Sequence, residues 1–247
     1  MIIKMCMLLG FSGQIQYDIG KLVSSFFGNS IKHPHGWGMG VYDNNELTLV
    51  KQATAAYKSE YAKNISAYVP GRLAIAHIRY ATVGRKAYLN THPFVQDING
   101  TEWLFAHNGS INSNILNGIS SSGETDSEKI LIHLSNRLKN ANKTMDITNI
   151  NTKISCMESV IMELSPYGKL NFLISDGEYL YIHSNYKDSL YCYKSKEFAC
   201  FCTNPLDVLY KNQWENIQLN TLFVYRNGEE IYQGKAHENE YIKKNVI

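Results

Sequence analysis

The chain has 247 residues, 44% of them hydrophobic and 12% aromatic, which is enough to bury a substantial core. Its 24 basic and 22 acidic residues give a formal net charge of +2 and form no arginine-rich arm or polybasic run. Nucleic acid and anionic membranes are therefore poor candidates for a partner. The apolar start is too short for a signal peptide, and no apolar run is long enough to span a bilayer.

The cysteines indicate a reducing compartment. There are five, an odd number, with no CxxC pair and no Cys/His spacing typical of a zinc site. We expect Cys156, Cys192, Cys200 and Cys202 to be reduced, buried small hydrophobes. This pattern predicts a cytoplasmic protein.

Short apolar runs closed by turn residues, several of them Asx-Gly pairs, predict an antiparallel sheet. In chain order the predicted strands cover residues 5–11, 38–42, 73–78, 103–106, 170–174, 179–183, 198–202 and 222–225. Three helices are predicted, over residues 15–27, from a capping box that begins at Thr125, and over residues 154–164. Residues 139–153 between the last two are expected to form a surface connection. The two groups of helices among strands predict an α+β or layered α/β fold in one domain.

Two chemically distinctive side chains stand at ends of predicted strands. Cys6 begins the first strand, where a lone cysteine is more often a core residue than a nucleophile. Arg79 follows the strand 73–78, and its planar guanidinium fits a carboxylate with two parallel hydrogen bonds. An arginine at a strand end is also commonly a solvated surface group, so neither residue defines a site by itself.

Two further motifs offer hydrogen-bond donors and a carboxylate. Asn108 and Gly109 can direct a side-chain amide and a backbone N–H at one oxygen, as in an oxyanion hole, although an Asn-Gly pair is also an ordinary hairpin turn. Asp126 falls in the first turn of the helix that starts after Thr125, where a carboxylate is favoured. Its carboxylate can bind the ammonium group of a substrate, or it can act only as a cap at the start of the helix.

Taken together, these segments resemble the glutaminase domain of class II glutamine amidotransferases, in the order found in that family. The matching stretches are Cys6-Met7-Leu8-Leu9-Gly10, His35-Gly36-Trp37-Gly38, His77-Ile78-Arg79-Tyr80-Ala81-Thr82, Asn90-Thr91-His92-Pro93, His107-Asn108-Gly109 and Glu124-Thr125-Asp126. The likeness covers roughly residues 5 to 205 and is nearest to the small stand-alone members.

The resemblance implies an N-terminal-nucleophile hydrolase fold, a four-layer αββα sandwich of two antiparallel sheets between helical layers. It also implies that Cys6, as the N-terminal residue, attacks a side-chain amide while its own α-amine takes the thiol proton. In that mechanism Asn108 and Gly109 hold the oxyanion. No cofactor and no metal are implied.

The resemblance further implies how the substrate is held. Arg79 is expected to bind the α-carboxylate of glutamine or of a related γ-glutamyl amide, and Asp126 its α-ammonium. Tyr80, Thr82 and His92 are expected to line the pocket. Ammonia would be released, or transferred to a separate synthase subunit.

The amino terminus departs from the family pattern because five residues precede Cys6. With those residues present, the nitrogen of Cys6 is an amide and cannot act as a base. Either translation begins at Met5, so that removal of one methionine frees Cys6, or residues 1–5 are cleaved off or remain and block activity. We favour the start at Met5.

Two other classes of function stay open at the level of sequence. One is a catalytically silent module that binds glutamine or a γ-glutamyl compound and is blocked by its N-terminal extension. The other is a metallohydrolase, which would have to use His33, His35, His77, His92 and His107. These histidines lack the HExxH spacing of such enzymes, so loop or core roles are favoured for them.

Overall fold

We describe a computed structural model of the protein, which covers residues 5–43 and 46–243. The α-helices are α1 (Gly20–Gly28), α2 (Glu60–Ile65), α3 (Asp126–Ala141) and α4 (Ile150–Leu164). The strands are β1 (Met7–Asp18), β2 (Trp37–Asp43), β3 (Glu46–Gln52), β4 (Pro70–Ile78), β5 (Phe94–Ile98), β6 (Thr101–His107), β7 (Ser110–Ile111), β8 (Gly168–Lys169), β9 (Phe172–Ser175), β10 (Leu180–Ser184), β11 (Tyr191–Lys194), β12 (Phe198–Cys202), β13 (Trp214–Asn216), β14 (Thr221–Arg226) and β15 (Glu229–Gln233).

Most of these strands form two antiparallel sheets. A seven-stranded sheet has the order β13-β11-β12-β1-β4-β2-β3, and a six-stranded sheet has the order β15-β14-β10-β9-β6-β5. The short strands β7 and β8 pair separately. Within each of these two sheets, every pair of neighbouring strands is antiparallel.

Side-chain alternation along the strands explains the layers. In β1, Leu8 packs between the two sheets, whereas Met7 and Leu9 face the opposite side, where the apolar faces of α1 and α2 cover the sheet. The six-stranded sheet buries its outer face under α3 and α4. Helix, sheet, sheet and helix therefore stack in that order, which confirms the predicted αββα sandwich.

The first helix differs from the prediction. Residues 15–18, predicted to be helical, continue β1, and Ile15 is 63% exposed. The carboxylate of Asp18 accepts hydrogen bonds from the backbone N–H groups of Gly20 and Val69, both at 2.9 Å. Asp18 thereby ends the strand and fixes the start of α1, so the predicted start is five residues too early.

Two other predicted boundaries also need correction. The surface connection 139–153 is too long, because α3 continues to Ala141 and α4 begins at Ile150. The side chain of Asn149 accepts a hydrogen bond from the Asn151 N–H and caps α4, so the helix begins four residues before its predicted start. The helix predicted from Thr125 is confirmed, with the Thr125 hydroxyl accepting from the Glu128 N–H.

The cysteine prediction is confirmed for four residues, because Cys156, Cys192, Cys200 and Cys202 are free and buried. Cys6 is also free, and it is only partly buried. Within the described ranges, no helix is long and apolar enough to cross a membrane.

Candidate active site

Antiparallel pairing of β1 with β4 brings Cys6 next to the segment that follows β4. Met7 lies opposite Ile78, so the residue before β1 meets the residues after β4. The Cys6 thiol donates a hydrogen bond to the Tyr80 carbonyl at 3.4 Å, and its sulfur accepts one from the Tyr80 N–H at 3.3 Å. Cys6 is thus held at the edge of the seven-stranded sheet.

Asn108 follows β6 of the other sheet and presents an unused donor. Its backbone N–H donates to the Asn171 carbonyl at 2.8 Å, and its side-chain oxygen accepts from the ammonium of Lys169 at 3.2 Å. The amide nitrogen Nδ2 is buried and has no hydrogen-bond partner within the described part of the chain. A buried amide N–H₂ without a partner is costly, so this group is available to a ligand oxygen.

Gly109 is required by a close approach of two backbone segments. A Cβ atom at this position would lie 1.9 Å from the Lys169 carbonyl oxygen and 2.4 Å from Nε2 of His107. Asn108-Gly109 is not a hairpin turn, because β6 pairs with β5 and β9 while the next strand, β7, pairs with β8.

His107 joins three parts of the site. Its Nε2 lies 3.0 Å from the Lys169 carbonyl, which only accepts, so Nε2 carries the proton and Nδ1 accepts from the Ser127 hydroxyl at 3.0 Å. Burial lowers the pKa of His107, which keeps the ring neutral. The end of β6, the start of α3 and the segment at Lys169 are thereby fixed relative to one another.

A cavity of about 310 Å³ lies between the two sheet ends. Five residues predicted for the site line it, namely Cys6, Tyr80, Thr82, Asn108 and Gly109. The other lining residues are Met5, Val83, Ser110, Lys169, Tyr186, Tyr241 and Lys243. The remaining predicted site residues, Arg79, His92 and Asp126, do not line it.

Arg79 lies behind the loop that follows β4. Its guanidinium donates to the carbonyls of Arg85 at 3.0 Å, Val83 at 2.8 Å and Gly84 at 3.3 Å, and the residue is 3% exposed. These hydrogen bonds shape the loop that contributes Val83 to the cavity. In this structure the guanidinium of Arg79 therefore binds backbone carbonyls, and the residue is not part of the cavity wall.

Asp126 is the first residue of α3, as predicted. Its carboxylate accepts from the Ile111 N–H at 2.7 Å and from the Ser127 N–H at 2.9 Å. The capping box is only half formed, because the Glu128 carboxylate binds the N–H groups of residues 122–123 instead of returning to Thr125. Asp126 therefore ties α3 to β7, directly behind the cavity-lining Ser110.

The structure places His92 outside the cavity, contrary to the prediction. Its ring packs against that of His77 at a tilt of 31°, with centroids 4.2 Å apart, and meets Phe94 edge-on at 4.5 Å. Burial lowers the pKa of both histidines well below the usual value. His92 does not line the cavity because the residues just before β5 are buried in the protein interior.

Burial and nearby charges set the protonation of Cys6. Burial raises the pKa of its thiol, which the hydrogen bond from Tyr80 and the charges of Arg79 and Lys169 partly offset, while the charge of Asp126 raises it further. The thiol is therefore protonated at neutral pH and needs a base. Burial also lowers the pKa of Lys169 to about 7.

Two parts of the cavity wall were missed at the level of sequence. Lys169 directly precedes an apolar run, which resembles an ordinary charged flank of a strand, yet it is only 4% exposed. Tyr241 and Lys243 belong to a charged tail with no periodic signal. Among the described residues, no three His, Cys, Asp or Glu side chains gather in a way that could hold a metal ion.

Comparison with known proteins adds sequence and fold relationships. A family profile described as glutamine amidotransferases class-II matches residues 5–199. The protein MJ1515 of Methanocaldococcus jannaschii is 28% identical over 262 residues, covering 94% of this chain and 72% of that protein. YafJ of Escherichia coli, a candidate glutamine amidotransferase, is 32% identical over 183 residues, covering 71% of each chain. The crystal structure of a predicted glutamine amidotransferase from Pseudomonas aeruginosa matches in fold, with a TM-score of 0.66, 22% identity, and coverage of 91% of this chain and 99% of that one.

Proposed function

The chain belongs to the class II glutamine amidotransferases, and from that premise we propose that it hydrolyses the side-chain amide of glutamine or a related γ-glutamyl compound through Cys6. One observation carries the proposal: Cys6 and Asn108 line the same cavity, and the buried amide nitrogen of Asn108 has no hydrogen-bond partner among the described residues. A nucleophile beside a buried, unused donor is the arrangement that acyl transfer needs.

In the proposed reaction the sulfur of Cys6 attacks the γ-carbonyl carbon of the substrate. Because burial raises the pKa of the thiol, a base must take its proton. The free α-amine of Cys6 would do so, since an α-amine titrates near pH ~8 and is partly neutral in the cytoplasm. It would pass the proton to the departing nitrogen, and water would then hydrolyse the thioester.

The oxyanion of this reaction would accept hydrogen bonds from the Asn108 amide and the Gly109 N–H. Lys169 supports the orientation of Asn108, because it donates to the side-chain oxygen and so leaves the amide nitrogen directed away from itself. The fixed backbone around Gly109 keeps both donors in place without reorganisation during the reaction.

The remaining predicted residues keep their substrate-binding roles as part of this proposal. Tyr80 and Thr82 line the cavity. Arg79 and Asp126 lie close enough for their charges to change the pKa of Cys6, although both are bonded to backbone groups in this structure. Binding of the α-carboxylate and α-ammonium would require these side chains to exchange backbone partners for the ligand. No such role remains for His92.

The proposal requires that Cys6 be the first residue of the active form. While Met5 is attached, the nitrogen of Cys6 is an amide, and Met5 itself occupies part of the cavity wall. The sequence match to the family also starts at residue 5. Exposure of Cys6, by a start at Met5 or by cleavage, would both create the base and enlarge the cavity. A form that retains Met5 would bind without turning over.

The destination of the ammonia is a separate part of the proposal. The enzyme would either pass it to a separate synthase subunit or release it as a free-standing hydrolase of a γ-glutamyl amide. A synthase-dependent enzyme should show weak glutaminase activity alone, whereas a free-standing hydrolase should turn over well without a partner. A cytoplasmic location belongs to the same proposal, because a catalytic thiol must stay reduced.

Covalent labelling of Cys6 tests the proposal. We expect a γ-diazoketone analogue of glutamine to modify Cys6 stoichiometrically, as mapped by peptide mass spectrometry, and excess glutamine to protect it. The four buried cysteines serve as internal controls, because burial keeps them unreactive. Absence of labelling in a preparation that begins at Cys6 would reject a nucleophilic role and favour a silent binding module.

A further inference from the structure

The cavity beside Cys6 is lined by two lysines, and no carboxylate of the described residues lies in its wall to pair with them. Its lining includes Lys169 and Lys243 and, among the described residues, no Asp or Glu. Lys169 is 4% exposed; its ammonium donates to the side-chain oxygen of Asn108 and contacts the sulfur of Met5 at 3.3 Å, and it makes no ion pair within the described ranges. A buried ammonium without a counter-ion is costly, and such a group in a cavity is a candidate for binding an anion.

Two aromatic rings complete this side of the cavity. The ammonium of Lys169 lies 5.0 Å from the centre of the Tyr186 ring, and Tyr186 meets Tyr241 edge to face, with centroids 5.5 Å apart. The tail that carries Tyr241 is anchored, because the Tyr241 N–H donates to the Asn185 carbonyl at 2.7 Å and the Asn185 amide donates to the Asn239 carbonyl at 3.2 Å. The wall is thus a fixed part of the fold.

The position of Met5 shows which end of a substrate would reach this wall. In the proposed reaction the nitrogen of Cys6 must lie within hydrogen-bond distance of the departing nitrogen. Met5 is attached to that same nitrogen, and its side chain extends to Lys169. When Met5 is absent, the space from the nitrogen of Cys6 to Lys169 is open to whatever substituent the departing nitrogen carries.

We infer that the preferred substrate is a γ-glutamyl amide whose nitrogen bears a carboxylate-containing group, a γ-glutamyl amino acid or short peptide, with that carboxylate paired to Lys169. The inference rests on the proposed function. The Cys6 sulfur bonds to the γ-carbonyl carbon as the C–N bond breaks, and the thiol proton leaves with the amino acid. Water then supplies hydroxide to the γ-carbonyl carbon of the thioester and a proton to the sulfur, releasing glutamate.

Matched substrates test the inference. We would measure kcat/KM for γ-glutamylglycine and for its neutral counterpart γ-glutamylglycinamide, with protein that begins at Cys6. The wild type should prefer γ-glutamylglycine. Replacement Lys169→Met should lower the ratio of the two kcat/KM values by at least about 30-fold, as expected when one partner of a buried charge pair is removed. The ratio cancels any effect that the substitution has on Asn108 or on folding.

The control Lys187→Met removes an exposed lysine next to Tyr186 that does not line the cavity, and it should leave the ratio unchanged. An equal loss of kcat/KM for both substrates in Lys169→Met, or no preference between them in the wild type, would overturn the inference. Lys169 would then serve to orient Asn108, to stabilise the thiolate or to bind the α-carboxylate of the substrate. Failure of the wild type to hydrolyse either substrate or glutamine would instead contradict the proposed function.

Discussion

Replacement of Asn108 by alanine separates catalysis from stability at this site. The substitution removes the amide nitrogen, which has no partner within the described residues and so contributes no hydrogen bond to the resting fold. It also removes the side-chain oxygen that accepts from Lys169 at 3.2 Å. We therefore expect the substitution to affect the barrier to turnover more than the free energy of unfolding.

The magnitudes follow from these contacts. Loss of one oxyanion donor raises the barrier by about 2.7–4 kcal/mol, which lowers kcat by about 100- to 1,000-fold. Loss of the hydrogen bond to Lys169 leaves a buried ammonium without that acceptor and lowers the free energy of unfolding by about 1–3 kcal/mol. The variant should remain folded at room temperature while KM for glutamine changes little.

Steady-state assays of glutamate release and urea unfolding measure the two effects on the same preparation. Replacement of the exposed Asn117 by alanine is the matched control and should change neither quantity. If Asn108→Ala retained kcat within about threefold, or lost activity only in proportion to its unfolded fraction, then Asn108 would not hold the oxyanion.

Three further predictions concern the surroundings of the site. Gly109→Ala should abolish hydrolysis and lower the free energy of unfolding by about 1–3 kcal/mol, because its Cβ would meet the Lys169 carbonyl at 1.9 Å; kinetics and urea unfolding check this. Burial lowers the pKa of His183 to about 3, so below the unfolded value of about 6.5 the unfolded state binds the extra proton. This residue should therefore lower the free energy of unfolding by about 1.4 kcal/mol for each pH unit below 6.5. His183→Phe should remove that contribution between pH 6 and 4, as measured by urea unfolding at each pH, and an unchanged pH dependence would contradict the prediction. Thr125→Ala should cost about 1 kcal/mol by removing the cap of α3, and a loss under about 0.3 kcal/mol in the same unfolding assay would show that the cap is unimportant.

Motifs at the ends of strands were sufficient to predict several residues that the fold brings to one cavity. Cys6 and Thr82 are far apart in the chain, but antiparallel pairing of β1 with β4 brings the ends of these strands together. Asn108 follows β6 of the other sheet, and the stacking of the two sheets brings it to the same cavity. The sandwich itself was predicted from the resemblance to the family, because apolar runs and turn signals alone predict only antiparallel strands with two groups of helices in one domain.

Features that depend on long-range contacts were not predictable in this way. The predicted start of α1 was wrong because apolar spacing alone does not define it. The start is fixed by a long-range hydrogen bond from the Val69 N–H to the Asp18 carboxylate. Lys169 looked like a charged strand flank, because only the folded chain shows that its ammonium is enclosed by Asn108 and Tyr186. His92 carries a family motif but turns into the core against His77.

The most direct test of the central claim is hydrolysis by two defined amino termini. One preparation begins at Cys6 and the other retains Met5, with both termini verified by intact mass. Glutamate release from glutamine and from γ-glutamylglycine is measured for each. We predict turnover only for the preparation that begins at Cys6, where the α-amine is free to act as base. Equal turnover by the chain that retains Met5 would contradict the N-terminal-nucleophile mechanism.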